Sequence, residues 1–317
     1  MITLSWLYAL AGAMFASFAI LSPLDRGNPK RIANGAFWGL MALSLLAGDW
    51  IGDFGNGLLV LGLAGIGGFN LIGRSHPRTT SDDERRGWAE RLGNRLFLPA
   101  LIIPLTALIG TLVYNYTPIG SFGWIEPKRE TYVFLAVGVL IALGAMFTWL
   151  KPPAIAPLQE GRRLVDAIGW AIVLPQMLAA LGVLFATAGI GDVIGSAARS
   201  VIPEGNIFLT VVVFGVGMVA FTMIMGNAFA AFPVMAAAIG VPLLIQTYHG
   251  DPAVVGAVGM LAGFCGTLMT PMAANFNLVP AALLELKDQY GVVKMQVATA
   301  LPLFLLNLLI IYFAAFR

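Results

Sequence analysis

The chain is a succession of apolar runs, most of them about as long as a membrane is thick. A helix needs about 20 residues to cross a hydrocarbon core of roughly 30 Å. The first half predicts five such spans, over residues 4–21, 33–47, 57–72, 96–113 and 132–150. Barrel strands would alternate in polarity and be about half as long. The pattern therefore predicts an all-α, polytopic transmembrane protein.

The second half is less regular. A Pro-rich loop reaches Arg163, and a span over 164–188 with Pro175 at its middle follows. A glycine-rich connector follows over 189–206, and the sequence leaves open whether it forms a short interfacial helix. Three apolar stretches then cover 207–225, 228–248 and 253–269, whereas 276–286 is too short to span alone. The last span is 297–316.

These elements predict about eight to ten membrane segments in two regions. The first region is a five-helix part, 1–163. The second, 164–317, is predicted to contain a hairpin (207–248), a broken helix (253–286) and a final span (297–316). Whether the hairpin is re-entrant or fully spanning stays open.

Composition agrees with the pattern. Mean hydropathy is +0.86 and only 11% of residues are charged, against about 25% in soluble domains. So few charges cannot cover a globular surface, which predicts that the lipid bilayer is a partner. The basic residues form no patch for nucleic acid. No metal cluster, phosphate loop or nucleophile–base set is visible, so neither an enzyme nor a cofactor is predicted.

The basic residues predict the orientation. The loops after spans one, three and five, together with 285–294, hold 14 of the 18 Lys and Arg residues. Cytoplasmic loops carry such an excess, which predicts an inner-membrane protein whose N-terminus lies outside, on the periplasmic side. Within the largest basic loop, Ser81 and Glu84 form the pattern of a capping box that would begin a surface helix over 81–92.

Two uncharged polar segments interrupt the apolar second half. In 222–233, Gly226 and Asn227 permit a tight turn, and Pro233 suits the first turn of a returning helix. This predicts a hairpin tip at depth, with an ordinary loop between two full spans as the alternative. In 263–277, Thr267 and Thr270-Pro271 precede Asn275 and Asn277, either of which could cap a following helix. This predicts a broken helix, with a loop that ends one span as the alternative.

The motifs Gly-Asn-Ala-Phe-Ala-Ala-Phe-Pro (226–233) and Gly-Thr-Leu-Met-Thr-Pro-Met-Ala-Ala-Asn-Phe-Asn (266–277) carry a resemblance over essentially the whole chain. They resemble a family of bacterial inner-membrane permease-like proteins of unknown function. That family is usually encoded beside a second small membrane protein, near genes for 5-oxoproline use. More distantly, a hairpin followed by a broken helix is similar to one repeat of the ion-transporter superfamily, which carries dicarboxylates, citrate, gluconate and lactate.

The resemblance implies a set of substrate- or ion-binding residues at a hairpin tip and an unwound link. They are Gly226, Asn227, Thr267, Thr270, Pro271, Asn275 and Asn277. Two departures matter. The tip reads Gly-Asn-Ala where the dicarboxylate carriers have Ser-Asn-Thr, and only one repeat is visible, because Pro99 to Pro104 is a weak match for a second break.

A single repeat cannot close a site, so we expect a heteromer in which a second membrane subunit supplies the other repeat. A homodimer fits less well, because identical copies share one orientation. The predicted function is a secondary transporter subunit for a small carboxylate, with 5-oxoproline as first candidate. A scaffold or assembly subunit is the alternative.

The coupling ion, sodium or proton, stays open. Asp166 and Asp192 lie near predicted span ends, where an interfacial position is expected, and no carboxylate falls at mid-membrane. An acid at that depth would have indicated an ion or proton site. The sequence therefore favours no proton relay within this chain.

Overall fold

The computed structural model describes residues 1–75 and 81–316, and within them the fold is all-α. A single bridge between Ile2 and Ile125 is the sole β-type pairing in those ranges. The chain divides into two compact units, Met1–Ala167 and Ile168–Arg317. The predicted regions 1–163 and 164–317 stay predictions as functional parts, since compactness does not test what a region does.

The described residues of unit 1 form six helices and two short 3-10 turns. The turns are Gly93–Phe97 and Pro118–Phe122. The helices are α1 (Leu4–Leu21), α2 (Arg31–Gly68), α3 (Asp82–Leu92), α4 (Leu98–Tyr116), α5 (Glu130–Leu150) and α6 (Ala156–Ile168). The predicted capping box is confirmed, because Glu84 N donates to Ser81 Oγ while the Glu84 carboxylate accepts from Ser81 N.

Helix α2 folds back on itself at Gly52, whose φ of 72° is readily available only to glycine. A Cβ on Gly62 would lie 3.1 Å from Leu40 Cδ1, although residues so spaced in a straight helix lie about 33 Å apart. The two halves of α2 are therefore antiparallel arms. The two arms correspond to the predicted spans 33–47 and 57–72, with the turn at Gly52 between them and the second arm ending at Gly68.

Hydrogen bonds gather the loops of unit 1 at its two ends. At one end, Glu126 N donates to Ile2 O at 3.0 Å, and Ile2 N donates to Trp124 O at 2.6 Å. At the other end, Asn28 Nδ2 donates to Gly73 O at 3.2 Å and Arg162 Nη1 donates to Leu21 O at 2.6 Å. The three basic loops thus share one end, opposite the N-terminus. Which end faces the cytoplasm stays a prediction. Two of the basic residues used for that prediction, Arg78 and Arg317, lie outside the described residues.

Unit 2 packs around a core of long apolar helices. Its helices are α7 (Leu174–Thr187), α8 (Ile190–Val201), α9 (Ile207–Met225), α10 (Ala228–Met235), α11 (Pro252–Leu268), α12 (Leu278–Leu283) and α13 (Gly291–Ala315), with a π-helix, Ala236–Thr247, continuing α10. Phe214, Met218, Ile239 and Ile311 are among the fully buried residues where α9, the π-helix and α13 meet. Helix α8 lies in the connector 189–206, where the sequence left a short helix open.

Two predicted elements are wrong. The span 164–188 does not form: α6 ends at Ile168, Gly169 takes a φ of 61° in a 3-10 turn, and α7 begins at Leu174. The loop that was to reach Arg163 is also shorter than predicted, because α6 begins at Ala156. This helix is amphipathic, with charges on one face, so the search for continuous apolar runs missed it.

The hairpin arm after Asn227 also differs from expectation. Pro233 lies inside α10 rather than in its first turn. The chain then widens into the π-helix, in which Tyr248 N donates to Leu243 O at 2.9 Å, five residues back. Pro242 lies inside this segment and has no N–H for an α-helical bond.

The count of membrane segments agrees with the prediction. In the described ranges, seven helices are long and apolar enough to cross a membrane. Taking the arms of α2 separately and adding the 17-residue α11 brings the number to nine. The chain is a multi-pass α-helical membrane protein.

Candidate functional site

The hairpin tip is a two-residue turn between α9 and α10. Gly226 ends α9 in the left-handed conformation with a φ of 66°, and its N–H donates to Thr222 O at 2.7 Å. Glycine adopts this conformation without strain. Asn227 is extended and caps α10, because its Oδ1 accepts from Phe229 N at 2.8 Å. The tip therefore presents the start of a helix.

The predicted broken helix is present, and its link is tied to the end of α9. Helix α11 ends at Leu268 and α12 begins at Leu278. Between them, the buried Thr270 Oγ donates to Met223 O at 2.9 Å and accepts from Met272 N at 3.2 Å. One hydroxyl thus holds the turn of the link and joins it to the residues that lead into the hairpin tip.

Asn277 holds the link from inside. Its side chain is fully buried, and its Nδ2 donates to Thr267 O at 2.8 Å and to Thr270 O at 2.6 Å. Both acceptors are carbonyls freed by the end of α11, which need partners in a buried site. The predicted capping role is therefore wrong. The chain enters α12 at Asn277, but the amide turns back to the link, and Asn275 is exposed rather than a cap.

Tip and link together enclose a pocket of about 150 Å³. Four of the seven predicted site residues line it: Gly226, Asn227, Thr267 and Asn275. The other three, Thr270, Pro271 and Asn277, are not among the lining residues. Thr270 and Asn277 instead support the link by the bonds above. The sequence-derived set thus divides into residues that face the pocket and residues behind it.

Sequence reasoning missed the apolar part of the lining. Phe229 and Phe264 meet edge to face, with ring centroids 5.5 Å apart, and Met272, Ala273, Ala274 and Phe276 complete the wall. The sequence signal that could have found Phe264 was its helical spacing from Thr267. Phe264 precedes Thr267 by three residues, and such residues share one face of a helix.

A family model matches residues 5–316, and its description is "Protein of unknown function (DUF979)". The chain belongs to this family. No curated protein and no solved structure matches the chain.

The match covers both units of this DUF979 protein, including the tip and the link. The lining of the pocket contains no Asp, Glu, Lys, Arg or His. Its polarity comes from the Asn227 and Asn275 amides, the Thr267 residue and the N-terminal turn of α10, whose N–H groups point toward the helix start. Near it, Asn277 Oδ1 and Thr222 Oγ are buried and have no hydrogen-bond partner in the described part of the chain.

Close packing of α9 against α11 positions the site in this DUF979 protein. A Cβ on Gly266 would lie 2.8 Å from Val219 O and 3.0 Å from Thr222 Cβ. Gly266 lies one position before Thr267, so the approach of the two helices fixes where the link begins relative to the tip. In the described residues, no group of His, Cys, Asp and Glu could hold a metal ion.

Proposed function

We propose that the chain is a subunit of a secondary transporter for a small carboxylate, with 5-oxoproline as the first substrate to test. The observation that carries the proposal is the pocket where the Gly226-Asn227 turn meets the link from Met269 to Asn277. Transporters build their sites from interrupted helices, because helix ends and unwound backbone supply polar groups without charged side chains. This chain has such interruptions on two neighbouring elements.

The polar groups of the pocket suit an anion. The first turn of α10 directs N–H groups toward the tip, and a helix N-terminus favours negative charge. The Asn227 and Asn275 side chains can add amide donors from both sides of the pocket. Phe229 and Phe264 would contact the apolar part of the substrate, as aromatic side chains do in small-molecule sites.

The size of the pocket limits the substrate. A volume of about 150 Å³ is well below the roughly 300 Å³ at which drug-sized ligand sites begin. A compact carboxylate of the size of 5-oxoproline fits this limit better than a citrate-sized one. The coupling ion stays open between sodium, bound by carbonyls and amides, and proton.

The pocket belongs to one hairpin and one broken helix, whereas transporters of this layout use two. We propose that a second, small membrane subunit supplies the other half of the site, so that the active transporter is a heteromer. Copurification of the chain with the membrane protein encoded beside its gene tests this part directly.

Uptake of labelled 5-oxoproline into proteoliposomes that contain both subunits tests the function. Replacing Asn227 or Asn275 by Ala removes amide donors from the pocket, and we expect uptake to fall at least tenfold in each variant. One lost hydrogen bond to a charged group, about 1.5–3 kcal/mol, corresponds to a loss of this size.

Asn206→Ala is the matched control. Asn206 also caps a helix, since its Oδ1 accepts from Leu209 N at 2.9 Å, but it begins α9 and lies away from the pocket. We expect this variant to lose similar stability and to keep uptake. If all three variants transport normally, the site assignment is wrong. A stable complex without uptake of any small carboxylate would favour the scaffold alternative.

A further inference from the structure

Helices α9 and α13 of unit 2 lie side by side in opposite directions, and two contacts give their register. The rings of Phe208 and Tyr312 meet edge to face, with centroids 5.5 Å apart. Further along, a Cβ on Gly215 would lie 3.4 Å from Phe304 Cε2. Residue numbers rise along α9 as they fall along α13, so each step toward the hairpin tip pairs with one step toward the start of α13.

This register places the hairpin tip level with Lys294. The number of residues from Phe208 to Gly226 equals that from Tyr312 back to Lys294, which is about 27 Å along either helix at 1.5 Å per residue. Lys294 is exposed and pairs with the exposed Asp288, Nζ to Oδ2, at 2.7 Å. Such a pair is costly in hydrocarbon. The tip is therefore level with a polar boundary of unit 2.

The link reaches the same level by a separate route. Helix α11 begins beside the end of α13, because Asp251 N donates to Ala315 O at 2.8 Å. Counting from this bond along both helices places Leu268, the last residue of α11, level with Ala298. Ala298 is about one turn from Lys294, so the link continues from the end of α11 toward the same boundary.

The returning arm of the hairpin covers the whole distance back. It runs over Ala228–Thr247, and a Cβ on Gly250 would lie 2.7 Å from Phe316 Cε1 at the other end of α13. Both arms thus extend between the same two levels, and Lys294 to Ala315 corresponds to about 30 Å, the thickness of a hydrocarbon core. Of the two interpretations of the sequence, this favours a loop between two full spans over a tip at depth.

Tyrosines mark both levels. Tyr290 precedes α13 at the end that carries Lys294, whereas Tyr248 and Tyr312 lie at the opposite end. Membrane proteins are enriched in tyrosine at both boundaries with water. The positions of these residues therefore agree with the levels that the helix register gives.

We propose that the pocket between tip and link lies at the membrane–water boundary and opens to the side on which residues 285–294 lie. Met272, Asn275 and Phe276 of the link are exposed, and water can hydrate the unwound backbone at this level, which hydrocarbon cannot. A substrate would reach the pocket from that side without crossing the hydrocarbon core. Calling the pocket a substrate site rests on the proposed function, whereas its depth and side do not.

Labelling of introduced cysteines tests the proposal. The full chain, expressed alone so that no partner covers the pocket, is treated with a membrane-impermeant maleimide in right-side-out and in inside-out membrane vesicles. Its one cysteine, Cys265, is buried, so the wild-type protein gives the background. Lys287→Cys and Glu204→Cys mark the two sides, because both positions are exposed and Glu204 lies just before the start of α9.

We expect Asn275→Cys to be labelled only in the vesicles that label Lys287→Cys, at a rate within about tenfold of that variant, because a hydrated thiol can ionise and react. Phe276→Cys, also exposed in the lining of the pocket, repeats the test if Asn275→Cys does not fold. Labelling from the Glu204 side, or from neither side until detergent dissolves the vesicles, would overturn the proposal. Labelling as expected without any uptake would count against the transport function alone.

Discussion

Within the described residues, the two units bury polar side chains of different kinds. In the described part of unit 1, the buried set includes Arg162 and Asp166 besides neutral residues. Among the side chains of unit 2 that the structure describes, the buried polar ones are uncharged: Thr210, Thr222, Thr267, Thr270, Asn277 and Asn307. Charges hold the ends of helices together in unit 1, whereas hydroxyls and amides hold the interruptions of helices in unit 2.

The units also differ in how much of each apolar helix they bury. In unit 2, 44% of the most apolar window of Ala228–Thr247 is buried, against 11% for Arg31–Gly68 in unit 1. The helices of unit 1 thus leave most of their surface to lipid or to another protein. Unit 2 instead packs its helices around a core, which gives the pocket rigid walls. The comparison predicts that ionic changes matter most in unit 1 and packing changes most in unit 2.

Breaking the buried ion pair should have the largest effect. Arg162→Met removes the guanidinium that pairs with Asp25 and leaves the carboxyl groups of Asp25 and Asp166 buried without it. We expect a loss of about 3–5 kcal/mol in the free energy of unfolding, as for other buried pairs that lose one partner. The loss should be greater at high pH, because burial raises the pKa of the Asp166 carboxyl group and a higher pH favours its charged form. Denaturation in detergent at two pH values measures it.

Arg163→Met is the matched control. Arg163 neighbours Arg162 on α6 but pairs with Glu160, whose side chain is about one-third exposed. Such partly exposed pairs contribute about 0–1 kcal/mol, so this variant should stay close to the wild type. Equal losses in the two variants would mean that α6 depends on its arginines for some reason other than burial of the Asp25 pair.

Asn277 is the corresponding position in unit 2. Asn277→Ala removes the donor to the Thr267 and Thr270 carbonyls, and each carbonyl left unpaired in a buried site costs about 1–3 kcal/mol. We expect lower stability, little dependence on pH and loss of the pocket. Asn307→Ala is the control, because Asn307 is equally buried but contacts Cys265 Sγ at 3.5 Å. Hydrogen exchange at the link, compared between the variants, distinguishes a local from a global loss.

Much of this fold could be predicted because the length and polarity of a run of residues indicate a membrane span. Helix α1 and α9 begin and end at the predicted residues, since length and polarity alone decide where a span stops. The predicted span 164–188 is wrong because length and polarity do not show where packing interrupts a helix. Ile168 to Thr187 is apolar enough for a helix, but Gly169 takes a left-handed φ that tertiary packing selects.

The candidate site was predictable only where turn-forming or polar residues interrupt an apolar run. Gly226 and Asn227 are visible as turn formers in an apolar run, and so they could be named from sequence. The direction of the Asn277 amide could not, because Thr267 and Thr270 offer carbonyls only after α11 has ended. Phe264 carries no polar signal, and its contact with Phe229 depends on how α11 packs beside the tip. The burial of the Asp166 carboxyl group depends on distant partners in the same way.

The smallest of these effects tests whether helix packing sets the pocket. Gly266→Ala places a methyl group 2.8 Å from Val219 O, and overpacking of this kind costs about 1–3 kcal/mol. Gly256→Ala, on the same helix, meets its nearest neighbour, Phe232 Cζ, at 4.0 Å, and should be neutral or slightly stabilising because Ala favours helix. If packing positions the link, Gly266→Ala must also weaken substrate uptake while Gly256→Ala leaves it unchanged. Equal uptake in both variants, with the stability loss confined to Gly266→Ala, would show that the link reaches its position through the Thr270 and Asn277 hydrogen bonds alone.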